Sequence, residues 1–358
     1  MDQLDPRSYT MVSSHIPAPS GTGTRWAAAI LLVAGAVSVG AALTVDLLRP
    51  VAALPPHLAG LFRDATGFEQ LASGDYLVFD RAAHAVYRVD AARTKATEVV
   101  RIGQEDGRLL QPVAFDVAPD GSFAVADAPF GRERVQVFTP AGSRLSGFAL
   151  PGRVSQRVTF HGVVVNGVGS LTYDGTRIYV NQPESGAIVS SYSVLGRPDQ
   201  LIGRLRPTGY DTTDPDVHLA LNAGLPVLDP RGGFYFVFQA GEPRFRKYDA
   251  SGTLVFERAI QGKEIDALVA SQPTTWPPRG TAGREMPVVP PVVRTAAVDP
   301  SGRLWVSFVV PYTYVYDEDG DRIRTVQFAT TGRIAPTSLS FAPRGRLLVT
   351  PGCYVFEP

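Results

Sequence analysis

A chain of 358 residues with one cysteine, Cys353, can form no internal disulfide and no multi-cysteine metal site. Cys353 lies in an apolar C-terminal stretch, where a small buried packing residue is expected rather than a reactive thiol. Lysine is nearly missing too: Lys95, Lys247 and Lys263 are the only lysines among 34 basic residues, and 34 acidic residues balance them. With no net charge and no basic stripe, the chain lacks the electrostatic footprint of a nucleic-acid binder, so no nucleic-acid partner is expected. The five histidines (His15, His57, His84, His161, His218) show no metal-ligand spacing. No nucleophile elbow, phosphate-binding loop, zinc-protease helix or dinucleotide fingerprint occurs. The acidic run Asp317–Asp321 lacks the twelve-residue spacing and terminal Glu of a calcium loop, and it falls where a hairpin turn belongs.

One long hydrophobic run is present. Residues 26–45, WAAAILLVAGAVSVGAALTV, carry no charge, and at the helical rise twenty such residues match the hydrocarbon thickness of a bilayer. Trp26 suits the interface. A cleaved secretory signal, with Val39-Gly40-Ala41 as cleavage site, is the alternative. The 25-residue lead and the length of the apolar run favour an uncleaved anchor. Either way the remainder is exported, and a long domain crosses largely regardless of flanking charge. The expected organisation is therefore a disordered tail over 1–25, a single transmembrane helix over 26–45 in the cytoplasmic membrane, and a tether over 46–62 with a candidate closing strand. A repeat domain over 63–358 follows on the extracytoplasmic side, interrupted by insertions at 196–225 and 262–291.

The repeat is clearest from Gln111 to Phe148. VAFDVA, SFAVAD, RVQVFT and RLSGF read as short half-buried strands, separated by turns that include Asp120-Gly121 and Ala141-Gly142. The same pattern of turn glycine followed by an apolar strand recurs at Gly74, Gly121, Gly175, Gly233, Gly302 and Gly345. Each second strand is followed by a third: AVYRVD, RVQVFT, VSSYSV, RFRKYD, YTYVYD and CYVFEP. A four-stranded meander cannot bury both faces alone, so it needs copies of itself. Six units of roughly fifty residues predict an all-β fold, a six-bladed β-propeller.

The PDGSFAVAD, RVQVF and AGSRL segments of the second unit resemble the NHL repeat. That resemblance implies a scaffold used mostly for binding, with some lyases and hydrolases. The last unit contains only three strands before the chain stops, so an N-terminal strand near His57–Arg63 is expected to complete it.

Candidate functional residues come from three places. Six residues past four successive turn glycines lie Asp80, Asp127, Asn181 and Gln239, a polar arc that would orient a ligand at a channel mouth. The alternative is that such residues brace their own loop backbone. Trp276 and Tyr210, in the two insertions, are candidates for a binding rim. Trp276 plugging a blade surface is the competing reading. A weaker resemblance, to the gluconolactonase/senescence-marker propellers, implies a divalent cation such as calcium held by Glu69, Asn166 and Asn222. The acidic ligand and base expected beside Asn222 is absent. The expected function is binding or scaffolding of an unknown protein or small molecule, with no cofactor. The alternative is a metal-dependent lactonase-like or lyase-like enzyme.

Overall fold

The computed structural model describes residues 44–152, 159–160, 163–164, 168–207, 214–276 and 288–358. Tyr210, Asn166 and the expected span up to residue 43 lie outside them. Among the described residues no helix is long and apolar enough to cross a membrane.

Among the described residues each of the six turn glycines lies in an antiparallel four-stranded unit, and the sheet of blade five carries two further strands. Blade one spans Ala65–Gln70 to Ala96–Val100, blade two Ala114–Val117 to Arg144–Ala149, and blade three Leu171–Tyr173 to Pro198–Arg204. Blade four spans Gly224–Leu228 to Leu254–Ala259 and blade five Val293–Val298 to Arg322–Ala329. Blade six holds Ser338–Phe341, Leu347–Thr350 and Tyr354–Phe356, and its fourth strand comes from the other end of the chain. The first strand of each blade touches the first strand of the next, and the first strand of blade six returns to that of blade one, so the six inner strands close a ring.

The second strand of each blade is the hydrophobic centre. YLVFD, FAVAD, FYFVF and LWVSF are buried along their whole length. A strand with neighbours on both edges and sheets on both faces has no polar side to show, so these runs do not alternate. Between blades the apolar faces interlock. Ala126 and Val135 of blade two pack with Ile178 and Val180 of blade three, and Tyr235 and Phe245 of blade four pack with Leu304 and Tyr314 of blade five.

The closing strand is Ala52–Ala53, which pairs with Tyr354 and Val355 as the outermost strand of blade six. It lies a few residues before the His57–Arg63 segment read from sequence. There Pro56–Ala59 instead forms a short helix that buries Leu58. Leu54 N–H donates to the Cys353 carbonyl at 3.1 Å, and Leu54, Leu58 and Cys353 share a core with Phe68. A second N-terminal strand, Val45–Leu48, runs parallel to Arg322–Ala329 on the outer edge of blade five. Asp46 anchors it by accepting from Arg324 Nε at 2.8 Å. Val45, the last residue of the expected span, therefore belongs to the sheet.

The insertions are narrower than their sequence boundaries. Pro198–Arg204 is the fourth strand of blade three, and Gly224 opens blade four. Between them, helix Pro215–Leu221 starts at Asp214, whose side chain accepts from the Asp216 N–H. Arg206, 6% exposed, is enclosed here, donating to the carbonyls of Leu221, Ala240 and Glu242 and lying over the Phe238 ring. In the second insertion Asp266–Ala270 is helical. Ile265 is buried, and Leu268 and Val269 pack toward the blade four and five core.

Candidate functional site in the central channel

The inner strands of all six blades wall a cavity of about 980 Å³. Its size suits a small organic ligand and far exceeds that of a lone ion. Most of the charged side chains on its wall are already engaged. Arg81 pairs with Asp64 at 2.8 Å and Arg177 with Asp199 at 3.0 Å. Asp229 meets Arg231 and Lys247, while Asp174 and Asp249 accept from the backbone N–H groups of their own turns. Among the described residues of the wall, Glu69, Asp116 and Arg294 have no ion-pair partner.

Glu69 and Asp116 occupy equivalent places on the inner strands of neighbouring blades. Glu69 is paired with Leu77 and Asp116 with Ala124, in each case three residues past the turn glycine (Gly74 and Gly121). Asp116 Oδ2 accepts from the Thr172 hydroxyl at 2.8 Å and the Tyr173 N–H at 2.7 Å, both on blade three. Burial outweighs these bonds and pushes the carboxyl up to about 6. Burial, and then repulsion from Asp116, hold the Glu69 carboxyl well above its ordinary value, opposed by a hydrogen bond from Ser340 of blade six. Two adjacent carboxyls that cannot easily both ionise behave as a pair sharing charge.

Arg294 lies on the inner strand of blade five, across the ring from blade two. Burial alone lowers its pKa, with no carboxylate opposing the effect. Its Nε is buried without a hydrogen-bond partner, and Nη1 makes one long contact, 3.4 Å, with the Ala335 carbonyl. A guanidinium in this state is poised for an anionic or carbonyl acceptor.

The residues picked from sequence fall into different places. Asp80 is fully buried, and its carboxylate accepts from the N–H groups of Arg63, Asp64 and Ala83. Asp127, equally buried, accepts from Leu110 N–H and from Arg134. Asn181 bridges Ile188 and Asn222 carbonyls to the Gly224 N–H. These three brace loops where blades meet. Gln239, by contrast, lines the channel. Trp276 is half-buried: its Nε1 donates to the Val288 carbonyl at 3.2 Å, and its ring packs on Val217, Leu221 and Val289, tying the two insertions together. Glu69 reaches the channel. Asn222, however, is fully enclosed, accepting from Arg206 N–H and donating to the His218 carbonyl. Among the described residues no cluster of three acidic, His or Cys side chains is arranged to hold a metal ion. Asp317 closes its own hairpin turn by accepting from the N–H groups of Asp319 and Asp321.

Six sheets set around a channel define the chain as an all-β, six-bladed β-propeller. Its likeness to solved structures is of that kind. A streptogramin B lyase structure superposes with a TM-score of 0.51 at 12% identity, covering 81% of this chain and 76% of that one. Virginiamycin B lyase from Staphylococcus aureus gives 0.48 at 11% identity, over 80% of this chain and 77% of that one. Kuenenia stuttgartiensis hydrazine synthase gives 0.46 at 15% identity, over 81% and 94%. At such identities the likeness shows the fold alone. No family model matches the chain, and no curated protein matches it.

Proposed function

We propose that this chain is an NHL-like binding propeller, anchored by residues 26–45 on the extracytoplasmic side of the cytoplasmic membrane, and that its ligand occupies the central channel. One observation carries the reading: a cavity of about 980 Å³ on whose wall, among the described residues, Glu69, Asp116 and Arg294 have no ion-pair partner. Leaving charges unpaired in a folded interior is costly, and a ligand that answers them recovers that cost on binding. The competing reading, a metal-dependent lactonase or lyase, draws on Glu69 but has less support. The Asn222 amide is fully used by the Arg206 and His218 backbone.

The test is a thermal-shift screen of the full chain in detergent against small polar compounds, followed by hydrogen exchange with each stabilising compound. The reading expects protection over inner strands 65–70, 114–117 and 293–298. Protection confined to the outer strands or to the two insertions would overturn it. Protease protection on spheroplasts tests the anchoring: residues 63–358 are expected to be cleaved from outside.

A further inference from the structure

The ligand class can be narrowed from the register of the strands, and the argument rests on the channel-binding reading above. Ala297 of blade five pairs with Trp305, three residues past Gly302, which puts Ala297 at the level of Glu69 and Asp116. Arg294 comes three residues earlier on the same strand, in the bulge between Val293 and Thr295, so at the strand rise it sits up to about 10 Å along the channel from the carboxyl pair. It is also on the opposite wall, since blade five faces blade two in a ring of six. The electrostatics agree with this separation: Arg294 does not contribute to the carboxyl pair, nor the pair to Arg294. The channel thus presents a negative end and a positive end that are too far apart to neutralise each other.

We propose that the channel binds a short extended peptide of about three residues, with its N-terminal ammonium between Glu69 and Asp116 and its C-terminal carboxylate on Arg294. Three extended residues span about 10 Å, the offset along the channel, while the width between the walls is left to the Glu69, Asp116 and Arg294 side chains that line it. A single amino acid is too short to reach both. A metal ion answers only the negative end, and a simple anion only the positive one. The ammonium donates to carboxyl oxygens on two blades, and the carboxylate accepts from the guanidinium, both charge-assisted contacts. The cavity volume of about 980 Å³ leaves room for side chains, so terminal charges rather than side-chain identity set recognition.

The probe is trialanine, titrated calorimetrically into the full chain at neutral pH. The controls are N-acetyl-trialanine, trialanine amide, putrescine and calcium chloride. The proposal expects saturable binding of trialanine, weakened about tenfold or more by blocking either end. Glu69→Gln and Asp116→Asn are expected to reduce the penalty of N-acetylation, and Arg294→Gln the penalty of amidation. Each variant is checked for an unchanged cooperative melt, so that a folding defect is not read as lost binding. Absence of trialanine binding, equal binding of the blocked peptides, or competition by putrescine or calcium at equal strength would each overturn it. If a compound lacking both charged ends protects the inner strands in the hydrogen-exchange experiment, channel binding stands and the peptide assignment falls.

Discussion

Asp116→Asn is expected to stabilise the folded chain, by an amount that grows with pH. The Asp116 carboxyl moves from an ordinary 3.8 to about 6 on folding, because burial penalises its charged form more than the Thr172 and Tyr173 bonds favour it. The Asp116 charge in turn pushes Glu69 of blade one upward, and among the described residues neither carboxyl has an ion-pair partner. A raised carboxyl pKa makes protonation favour the fold. That contribution is complete below about pH 4 and is lost as pH rises through about 6. A shift of roughly two units corresponds to about 3 kcal/mol at most, and water in the channel reduces it, so ~1–3 kcal/mol is the working range. For a domain of this size that amounts to about 2 °C of melting temperature per kcal/mol.

Asparagine keeps the volume and an acceptor for Thr172 and Tyr173, so little else changes. The assay is urea unfolding of both proteins at pH 4, 5.5 and 7.5. Carboxylates held low by their surroundings, such as Asp174 and Glu257, weaken both proteins alike in acid and cancel in the difference. The variant's advantage should be near zero at pH 4 and largest at pH 7.5. A difference that is flat with pH, or a variant less stable at pH 7.5, would refute the electrostatic account of the channel.

Other consequences follow from the blade contacts. Gly233 sits at φ +77° with the Tyr248 carbonyl against the place a Cβ would fill, so Gly233→Ala should cost about 2 kcal/mol or more by denaturant titration. Arg206→Met strands three buried carbonyls (Leu221, Ala240, Glu242) and should cost about 3 kcal/mol, measured the same way. The Cys353 thiol is buried and pushed up to about 12, so a thiol reagent should fail to label the native chain at pH 8 and label it fully in urea.

The ring was legible because the turn glycines and the fully buried second strands repeat in register, and each local signal agrees with the whole. Closure was harder to read. Ala52-Ala53 is a two-residue strand with no alternation, and Val45–Leu48 begins on the last residue of an uncharged apolar run whose length matches a bilayer span. The site was half legible. Six places after the turn glycines, Asp80, Asp127 and Asn181 brace loop backbones, as polar residues at strand ends often do. The informative column lay five places before the glycine, where Glu69, Asp116 and Ser340 fall into line. Asp116 looked like the polar half of an ordinary alternating strand, AFDV, because sequence does not show that the inner strand of a propeller turns that half toward a channel. Arg294 gave no signal at all, since its significance lies in having no acidic neighbour in space.

The most direct test of the account is a crystal structure of the chain with the strongest stabilising compound bound. The account predicts density inside the channel, in contact with Glu69 or Asp116 on one side and Arg294 on the other. Density on the outer faces of the blades, or beside Trp276 with the channel left to solvent, would contradict it.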